Sequence, residues 1–251
     1  MRAMKMLALV VTVCAAFVMV FTGCAKKETI LKIGTNAEYP PFEFKEKDEY
    51  KGIDMELAKM VAEKMGMKYE IVDMQFDSLI PSLTQSKLDM SLSAITITEE
   101  RKQQIDFSIP YFTVSQAIIV KKDSKLTVAT DDDLAKFKIG VQNGTTGQLW
   151  VDENLIKSKK MKEEKFKKYP TNIEAITDML NGNLDMIIID DSAAKGYAKI
   201  KDIKVIYTIN TNENYGIALP KNSPYKEKLD AALTEVLASE AWKTLLEKYM
   251  M

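Results

Sequence analysis

The chain contains no histidine and only two cysteines in 251 residues. Without imidazole it cannot use the Ser-His-Asp or Cys-His relays of hydrolytic enzymes, and it lacks a common nitrogen ligand of zinc and iron. Two cysteines are too few for a disulfide-rich scaffold. The formal net charge of -1 gives no excess of cations for binding phosphates, so we predict no nucleic-acid partner.

Sequence motifs for catalysis are missing as well. The chain has no phosphate loop ending in Gly-Lys-Ser/Thr, no GxSxG and no HExxH. The acidic run Asp131-Asp132-Asp133 could supply metal ligands or an acid–base pair. It precedes a short predicted helix, however, and we expect Asp131 or Asp132 to cap that helix. We therefore predict no catalytic residues, no metal and no cofactor.

The first 23 residues differ from the rest of the chain. Arg2 and Lys5 are their only charged residues, and the apolar stretch from Met6 to Gly23 carries no charge. A basic start, an apolar run and small residues near its end are typical of a secretory signal peptide. The competing interpretation is an uncleaved membrane anchor, because a run of this length is at the lower limit for crossing a bilayer.

The segment Phe21-Thr22-Gly23-Cys24 resembles the lipobox of bacterial lipoproteins. The resemblance implies that the signal peptide covers residues 1–23, that Cys24 is acylated, and that residues 24–29 form a short tether. Two or more acyl chains hold a protein stably on a membrane. We therefore predict an extracytoplasmic lipoprotein, anchored in the periplasm or on the outer face of the cell membrane.

Strand and helix signals alternate from residue 30 to the C-terminus, with no long linker and no low-complexity tract. This alternation predicts an α/β fold, and the length fits two sets of about 90 residues. The run Leu184–Ile189 is apolar except for Asp185, as expected of a strand that is buried on both faces.

Two further segments carry structural predictions. The spacing of apolar residues predicts a helix over 172–180 that buries Ile173, Ile176 and Leu180. The lysine-rich stretch from Lys157 to Lys168 also contains acidic residues, so we interpret it as a solvated helix face and not as a binding patch.

Polar and aromatic side chains follow the predicted strands at their carboxyl ends. In open α/β sheets this end of the strands faces the ligand crevice. The residues are Tyr39 after the strand Ile30–Gly34, Thr96 and Arg101 after Asp89–Ser93, Gln142, Thr145 and Thr146 at the end of Lys138–Gln142, and Asp190 and Asp191 after Leu184–Ile189.

Together these groups complement a small zwitterion. A guanidinium binds a carboxylate through two parallel hydrogen bonds, helix-start amides add affinity for anions, and an aspartate pairs with an ammonium group. Each residue also has a structural interpretation: Arg101 could form a surface salt bridge, and Tyr39 and Phe76 could be core aromatics. Their convergence on strand ends favours binding.

At these residues the chain resembles the extracellular solute-binding proteins of family 3, the polar amino-acid binders of ABC importers. The matching segments follow the family order and cover essentially the whole chain from residue 30. They are GTNAEYPPFE at 34–43, FDSLIP at 76–81, AITITEER at 94–101, DFS at 106–108 with Tyr111-Phe112, GTTG at 144–147, and Asp190-Asp191.

The resemblance implies the type II periplasmic-binding-protein fold, in which two hinge strands join two α/β lobes that close on the ligand. Lobe 1 would comprise residues 30–112 together with 216–251, and lobe 2 would comprise residues 116–212. The resemblance also implies a monomer that delivers its ligand to the permease subunits of an ABC transporter.

The family pattern also implies roles for single residues. Arg101 would hold the α-carboxylate of an amino acid, assisted by Thr96 and by the backbone amides of the Gly-Thr-Thr turn. Those amides belong to Thr145 and Thr146. Asp191 would hold the α-ammonium group.

The ligand side chain is less narrowly defined. The backbone of Ala94 would assist with the ammonium group, and Tyr39 and Phe76 would sandwich the side chain. Asn36 stands where basic-amino-acid and glutamine binders of the family often have Asp, so it keeps hydrogen bonding and lacks the charge. The resemblance therefore implies a polar or basic L-amino acid, with arginine, lysine, glutamine and cystine all open. Residues that could then serve a cationic side chain are Glu38, Asp190 and Gln116.

Two other functions are compatible with the same fold. One is a cyclohexadienyl or arogenate dehydratase, in which Asp190 or Glu38 would be the general acid. The other is a ligand-binding partner of a signalling receptor. Neither is required by the sequence, and we predict a non-catalytic binding protein.

Overall fold

The computed structural model describes residues 30–250. The predicted signal peptide, Cys24 and the tether lie outside the described residues. Within residues 30–250, no helix is both long and apolar enough to cross a membrane.

The described chain is a mixed α/β protein, as predicted. Its strands are β1 (Ile30–Thr35), β2 (Glu38–Tyr39), β3 (Glu43–Glu46), β4 (Glu49–Lys51), β5 (Lys68–Asp73), β6 (Met90–Ser91), β7 (Ile105–Lys121), β8 (Ile139–Gln142), β9 (Phe166–Tyr169), β10 (Met186–Asp190) and β11 (Ile203–Pro220).

One large sheet runs through the molecule in the order β5-β1-β6-β11-β7-β10-β8-β9. The strands β5, β1 and β6 are parallel at one end, and β10, β8 and β9 are parallel at the other. The long antiparallel pair of β7 and β11 joins the two parallel groups. The register of β11 against β7 shifts between Ile209 and Glu213, and the two strands stay paired on both sides of this irregularity. In one half of the sheet β11 also pairs with β6, and in the other half β7 also pairs with β10.

The helices cover both faces of this sheet. They are α1 (Ile53–Lys64), α2 (Phe76–Thr84), α3 (Glu99–Gln104), α4 (Thr146–Val151), α5 (Asn172–Leu180), α6 (Asp191–Ala198), α7 (Lys226–Leu237) and α8 (Glu240–Met250).

The hydrophobic core is divided between the two halves of the sheet, each with one cluster on either face. Along β10, Ile187 and Ile189 join the cluster under α5 and α6, while Met186 and Ile188 join the cluster on the opposite face. This alternation confirms that the strand is buried on both sides. The other half has its own two clusters around Leu57 and Leu79.

The clusters support the division into two lobes. The described core residues before 115 and after 214 pack in one pair of clusters, and those between 117 and 209 pack in the other. We keep the names lobe 1 and lobe 2 for these halves. The boundaries 30–112 plus 216–251 and 116–212 remain predictions.

Two local predictions were wrong. The short helix at 131–136 is capped by Thr130 and not by Asp131 or Asp132. The Thr130 hydroxyl accepts the Asp133 N–H, and the Asp133 carboxylate accepts the Thr130 N–H. The lysine-rich stretch is not one helix face, since it ends in strand β9, which pairs with β8.

The spacing of apolar residues predicted only part of the buried face of α5. Ile176 is fully buried, as predicted, but Ile173 is 38% exposed. The buried positions of the helix instead include Asn172, Ala175 and Met179. The buried stripe of α5 therefore begins on a polar residue.

We expect Ile176→Ala to lower the free energy of unfolding by about 2–5 kcal/mol, because it leaves a cavity in a packed core. The matched substitution Ile173→Ala on the same helix should cost less than about 1 kcal/mol. Urea unfolding of both variants measures the difference. Similar losses at the two positions would contradict the observed orientation of α5.

Candidate functional site

A cavity lies between the two lobes, at the carboxyl ends of the parallel strands. Both lobes contribute polar and aromatic side chains to its wall. The lining residues are Asn36, Tyr39, Glu43, Phe76, Ser93, Ala94, Thr96, Arg101, Gln116, Gln142, Thr145, Thr146, Asn172, Ile188, Ile189 and Asp190.

Every ligand-binding residue predicted from the sequence lines this cavity except Asp191. The Asp191 carboxylate accepts a hydrogen bond from the Ser115 N–H at 3.3 Å and lies 3.8 Å from Lys195 Nζ. Asp191 is the first residue of α6, whereas Asp190 is the last residue of β10 and lines the cavity. Strand β10 therefore delivers the neighbouring aspartate to the site.

Arg101 is a buried cation that connects the two lobes. It belongs to α3, which begins after Thr98 because the Thr98 hydroxyl accepts the Arg101 N–H. One terminal nitrogen of the guanidinium donates to the carbonyl of Thr96 at 2.7 Å, and the other donates to the carbonyl of Gly144 at 2.8 Å. Burial lowers the pKa of Arg101, and the nearby carboxylate of Glu213 opposes that shift.

The Gly-Thr-Thr turn brings a helix start to the guanidinium. Gly144 has φ +75°, which favours glycine, and a side chain here would approach the backbone of Asp77 in lobe 1. The Thr145 hydroxyl then caps α4 by accepting the Gln148 N–H. This geometry leaves the first amides of α4 beside the cavity wall.

Asp190 is the buried anion of lobe 2. Its two carboxylate oxygens accept hydrogen bonds from the Gln116 side-chain amide and the Tyr215 hydroxyl. Burial, together with the negative charge of Glu213, raises the pKa of Asp190 to about 6. The carboxylate is thus held in place and lacks a cationic partner among the described residues.

Aromatic rings form part of the wall between these charges. The guanidinium carbon of Arg101 lies 5.7 Å from the centre of the Phe76 ring. Tyr39 packs against core clusters of both lobes and stacks on Phe42, with ring centres 6.3 Å apart. The rings therefore offer apolar surface next to a cation and an anion.

A second layer of polar residues supports the lobe 1 wall. Asp54 is fully buried, and its carboxylate accepts hydrogen bonds from the Ala94 N–H and the Tyr111 hydroxyl. Ala94 has φ +48°, an uncommon backbone conformation for alanine. The Asp54 carboxylate therefore helps to hold this strained part of the wall.

Glu43 is the other buried carboxyl group of the wall. The Ser93 hydroxyl donates to its Oε1 at 3.1 Å, while its Oε2 has no hydrogen-bond partner among the described residues. Burial raises the pKa of Glu43 well above its ordinary value, and the negative charge of Asp54 adds to the shift.

Three side-chain amides meet at one part of the wall. Gln142 Nε2 donates to Asn36 Oδ1 at 3.0 Å, and Gln142 Oε1 accepts from Asn172 Nδ2 at 2.6 Å. Asn36 belongs to lobe 1, and the other two residues belong to lobe 2. These amides therefore link the lobes in the same way that Arg101 does.

Comparison with known proteins identifies the family. A sequence profile described as "Bacterial extracellular solute-binding proteins, family 3" matches residues 31–251. The chain belongs to this family. The arginine-binding extracellular protein of Bacillus subtilis (strain 168) is 35% identical over 259 residues, which cover 98% of this chain and 97% of that protein.

Solved structures agree with this assignment. The arginine-, lysine-, histidine-binding protein ArtJ of Geobacillus stearothermophilus has a TM-score of 0.80 and 37% identity, covering 88% of this chain and 95% of that chain. An ancestral arginine-binding protein bound to glutamine has a TM-score of 0.80 and 36% identity, covering 88% and 97%. The curated relatives are binding proteins and not enzymes, which agrees with the prediction of a non-catalytic chain.

The lobes of this family 3 protein approach each other closely beside the cavity. The Tyr197 hydroxyl of lobe 2 donates to the Glu38 carbonyl of lobe 1. A Cβ atom on Gly196 would lie 2.4 Å from the Pro40 carbonyl oxygen, so only glycine allows this backbone contact. The described conformation is therefore one in which the solute-binding cleft is closed.

Sequence reasoning missed several residues of the cleft wall. Glu43 and Ser93 occur within or beside the segments that resemble the family, but neither stands directly after a predicted strand. Asn172 follows β9, so recognition of that strand would have placed Asn172 at a strand end. Gln116 was considered only as an aid to a cationic side chain, and it orients Asp190.

We expect Asp54→Asn to change how the stability of this solute-binding protein depends on pH. Burial raises the pKa of Asp54 from 3.8 to about 7. Because the folded pKa lies above the unfolded pKa, the native protein loses stability at this site as pH rises from 4 to 7. The asparagine variant lacks this loss, which corresponds to about 4 kcal/mol.

Urea unfolding at pH 4 and pH 8 measures this effect, with Asp48→Asn in an exposed turn as a charge-matched control. The unfolding free energy of Asp54→Asn should rise relative to the native protein between the two pH values. A constant difference between the two proteins would contradict the prediction.

Proposed function

We propose that this family 3 protein binds a free L-amino acid with a polar or basic side chain in the cleft and delivers it to the permease of an ABC importer. The observation that carries this proposal is the presence of two buried opposite charges in one cavity, Arg101 from lobe 1 and Asp190 from lobe 2. Their chemistry complements the two charges of an α-amino acid.

The α-carboxylate would bind at Arg101. Two guanidinium nitrogens already donate to backbone carbonyls, and the group retains further N–H donors. The amides of Thr145 and Thr146 would add hydrogen bonds at the start of α4. The Thr96 hydroxyl already donates to Glu213. Thr96 therefore contributes through its carbonyl, which accepts a hydrogen bond from the guanidinium and orients it.

The α-ammonium group would bind at Asp190. This proposal replaces the role that family resemblance implied for Asp191, because Asp190 is the aspartate in the cavity wall. The Ala94 carbonyl would assist, since the Ala94 N–H is already bonded to Asp54. Tyr39 and Phe76 would cover the apolar part of the ligand side chain.

The relatives support an amino-acid ligand without fixing its side chain. The Bacillus subtilis relative is named for arginine, the Geobacillus structure for arginine, lysine and histidine, and the ancestral structure for bound glutamine. Glu43 gives the cavity a second carboxyl group, which suits a polar side chain.

The family and the predicted leader support a location of this function outside the cytoplasm. The family is extracellular, which supports a role outside the cytoplasm. Acylation of Cys24 would tether the protein, as a monomer, close to the permease subunits in the same membrane.

The proposal is tested by a thermal-shift screen with the common L-amino acids and their D-enantiomers. An L-amino acid at about 100 times its Kd should stabilise the protein by about 2.7 kcal/mol. The enantiomers should have much smaller effects, because the two charges and the aromatic wall fix the chirality of the α-carbon. Absence of any shift would disprove the proposed function.

Arg101→Met should weaken binding of the best L-amino acid at least about 30-fold, because it removes a buried hydrogen-bonded charge from the carboxylate site. Lys102→Met is the matched control, since Lys102 pairs with Glu99 on the surface. Isothermal titration calorimetry measures both affinities. Near-native affinity of the Arg101 variant would remove Arg101 from the site.

Gly196→Ala should weaken binding about 10-fold although Gly196 does not line the cavity, because a methyl group would keep α6 away from Pro40. Small-angle scattering with saturating ligand should show a larger radius of gyration than for the native protein. The control variant Lys195→Ala, on the exposed side of α6, should close its cleft as the native protein does. Equal affinity and equal dimensions for all three proteins would contradict this role of Gly196.

A further inference from the structure

The side-chain amides of Asn36, Gln142 and Asn172 form a connected group, here called the amide relay. All three residues line the cavity and are at least nine-tenths buried, at 7%, 3% and 4% exposure. Asn36 follows β1 in lobe 1, Gln142 ends β8, and Asn172 begins α5 in lobe 2. The relay therefore spans the cleft.

A backbone carbonyl fixes the orientation of the relay. Gln142 Nε2 donates to the carbonyl oxygen of Pro170 at 3.1 Å as well as to Asn36 Oδ1. A carbonyl oxygen only accepts hydrogen bonds, so the amide nitrogen of Gln142 must face it. Its oxygen then faces Asn172, which must present its nitrogen. Neither hydrogen of Gln142 Nε2 remains free.

The relay leaves one donor and one acceptor without partners. Asn36 uses its oxygen for Gln142, so its Nδ2 remains, and Asn172 uses its nitrogen, so its Oδ1 remains. No hydrogen bond to either atom occurs among residues 30–250. One lobe thus offers the ligand a neutral donor, and the other lobe offers a neutral acceptor.

We infer that the cleft selects an L-amino acid whose side chain ends in a neutral carboxamide or ureido group, as in glutamine or citrulline. Such a group has a carbonyl oxygen to accept from Asn36 Nδ2 and an N–H to donate to Asn172 Oδ1. This inference rests on the proposed function and narrows its ligand class.

A guanidinium or ammonium group fits the relay less well, because it has only donors. It would place N–H against the Asn36 nitrogen. Rotating Asn36 would relieve that contact but would turn its nitrogen toward Gln142 Nε2, again donor against donor. A buried donor without an acceptor costs enough to weaken binding about 10-fold.

A neighbouring carboxyl group is connected to the relay. Ser93 connects Glu43 to Asn36, since its hydroxyl donates to Glu43 and accepts the Asn36 N–H at 2.9 Å. Glu43 Oε2 has no hydrogen-bond partner among the described residues, so it can accept a further N–H of the ligand side chain.

Calorimetric titration of the protein with L-arginine, L-citrulline and L-glutamine tests the inference. Citrulline carries an oxygen in place of one terminal nitrogen of arginine and is neutral there, so the comparison changes the charge and the hydrogen-bond pattern of the end group at nearly constant size. We expect citrulline or glutamine to bind at least about 10-fold more tightly than arginine.

Asn36→Asp is the second measurement. An aspartate can accept from Gln142 with one oxygen and from a guanidinium with the other, so the preference should shift toward arginine by at least about 10-fold. Asn181→Asp, at the exposed end of α5, introduces the same charge as a control. Melting temperatures show whether each variant is folded.

The outcomes separate the two proposals. Arginine binding as tightly as citrulline and glutamine in the native protein would overturn the selectivity and leave the proposed function intact. An Asn36→Asp variant with unchanged preference would also overturn it. Failure of every amino acid to bind would overturn both.

Discussion

The buried guanidinium of Arg101 is the contact on which the cleft depends. A cation removed from water must have its donors satisfied, and here one carbonyl oxygen from each lobe satisfies two of them. The same bonds fix the distance between α3 and the Gly144 turn. A buried cation also attracts an anion. The Arg101 guanidinium, which joins the lobes, would therefore also bind the carboxylate of a ligand between them.

The remaining charges of the site follow from this arrangement. Among residues 30–250, Asp190 has hydroxyl and amide partners but no cationic one, and burial together with the charge of Glu213 disfavours its ionisation. An ammonium group would relieve that cost, just as a carboxylate would complete the partners of Arg101. The cleft wall therefore carries two incompletely compensated charges, and a zwitterion compensates both at once.

Much of the fold and the site could be predicted because strands that end at a crevice carry their polar residues in a recognisable place. Asp190 and Asp191 show the limit of this rule. Strand β10 ends at Asp190, so Asp190 lines the cavity and Asp191 does not, and a boundary this exact cannot be predicted from the sequence. Asn172 shows another limit. Strand β9 is short and its two central residues, Lys167 and Lys168, are both exposed, so neither hydrophobicity nor alternation marks it as part of the sheet.

The division of the amide relay between the lobes has a kinetic consequence. In an open cleft, a ligand bound to one lobe contacts only the relay residues of that lobe, so most side chains would be captured at similar rates. The relay residues of the other lobe make contact when the lobes meet, and a mismatched side chain then shortens the lifetime of the closed complex. Discrimination would thus be expressed in dissociation rates more than in association rates.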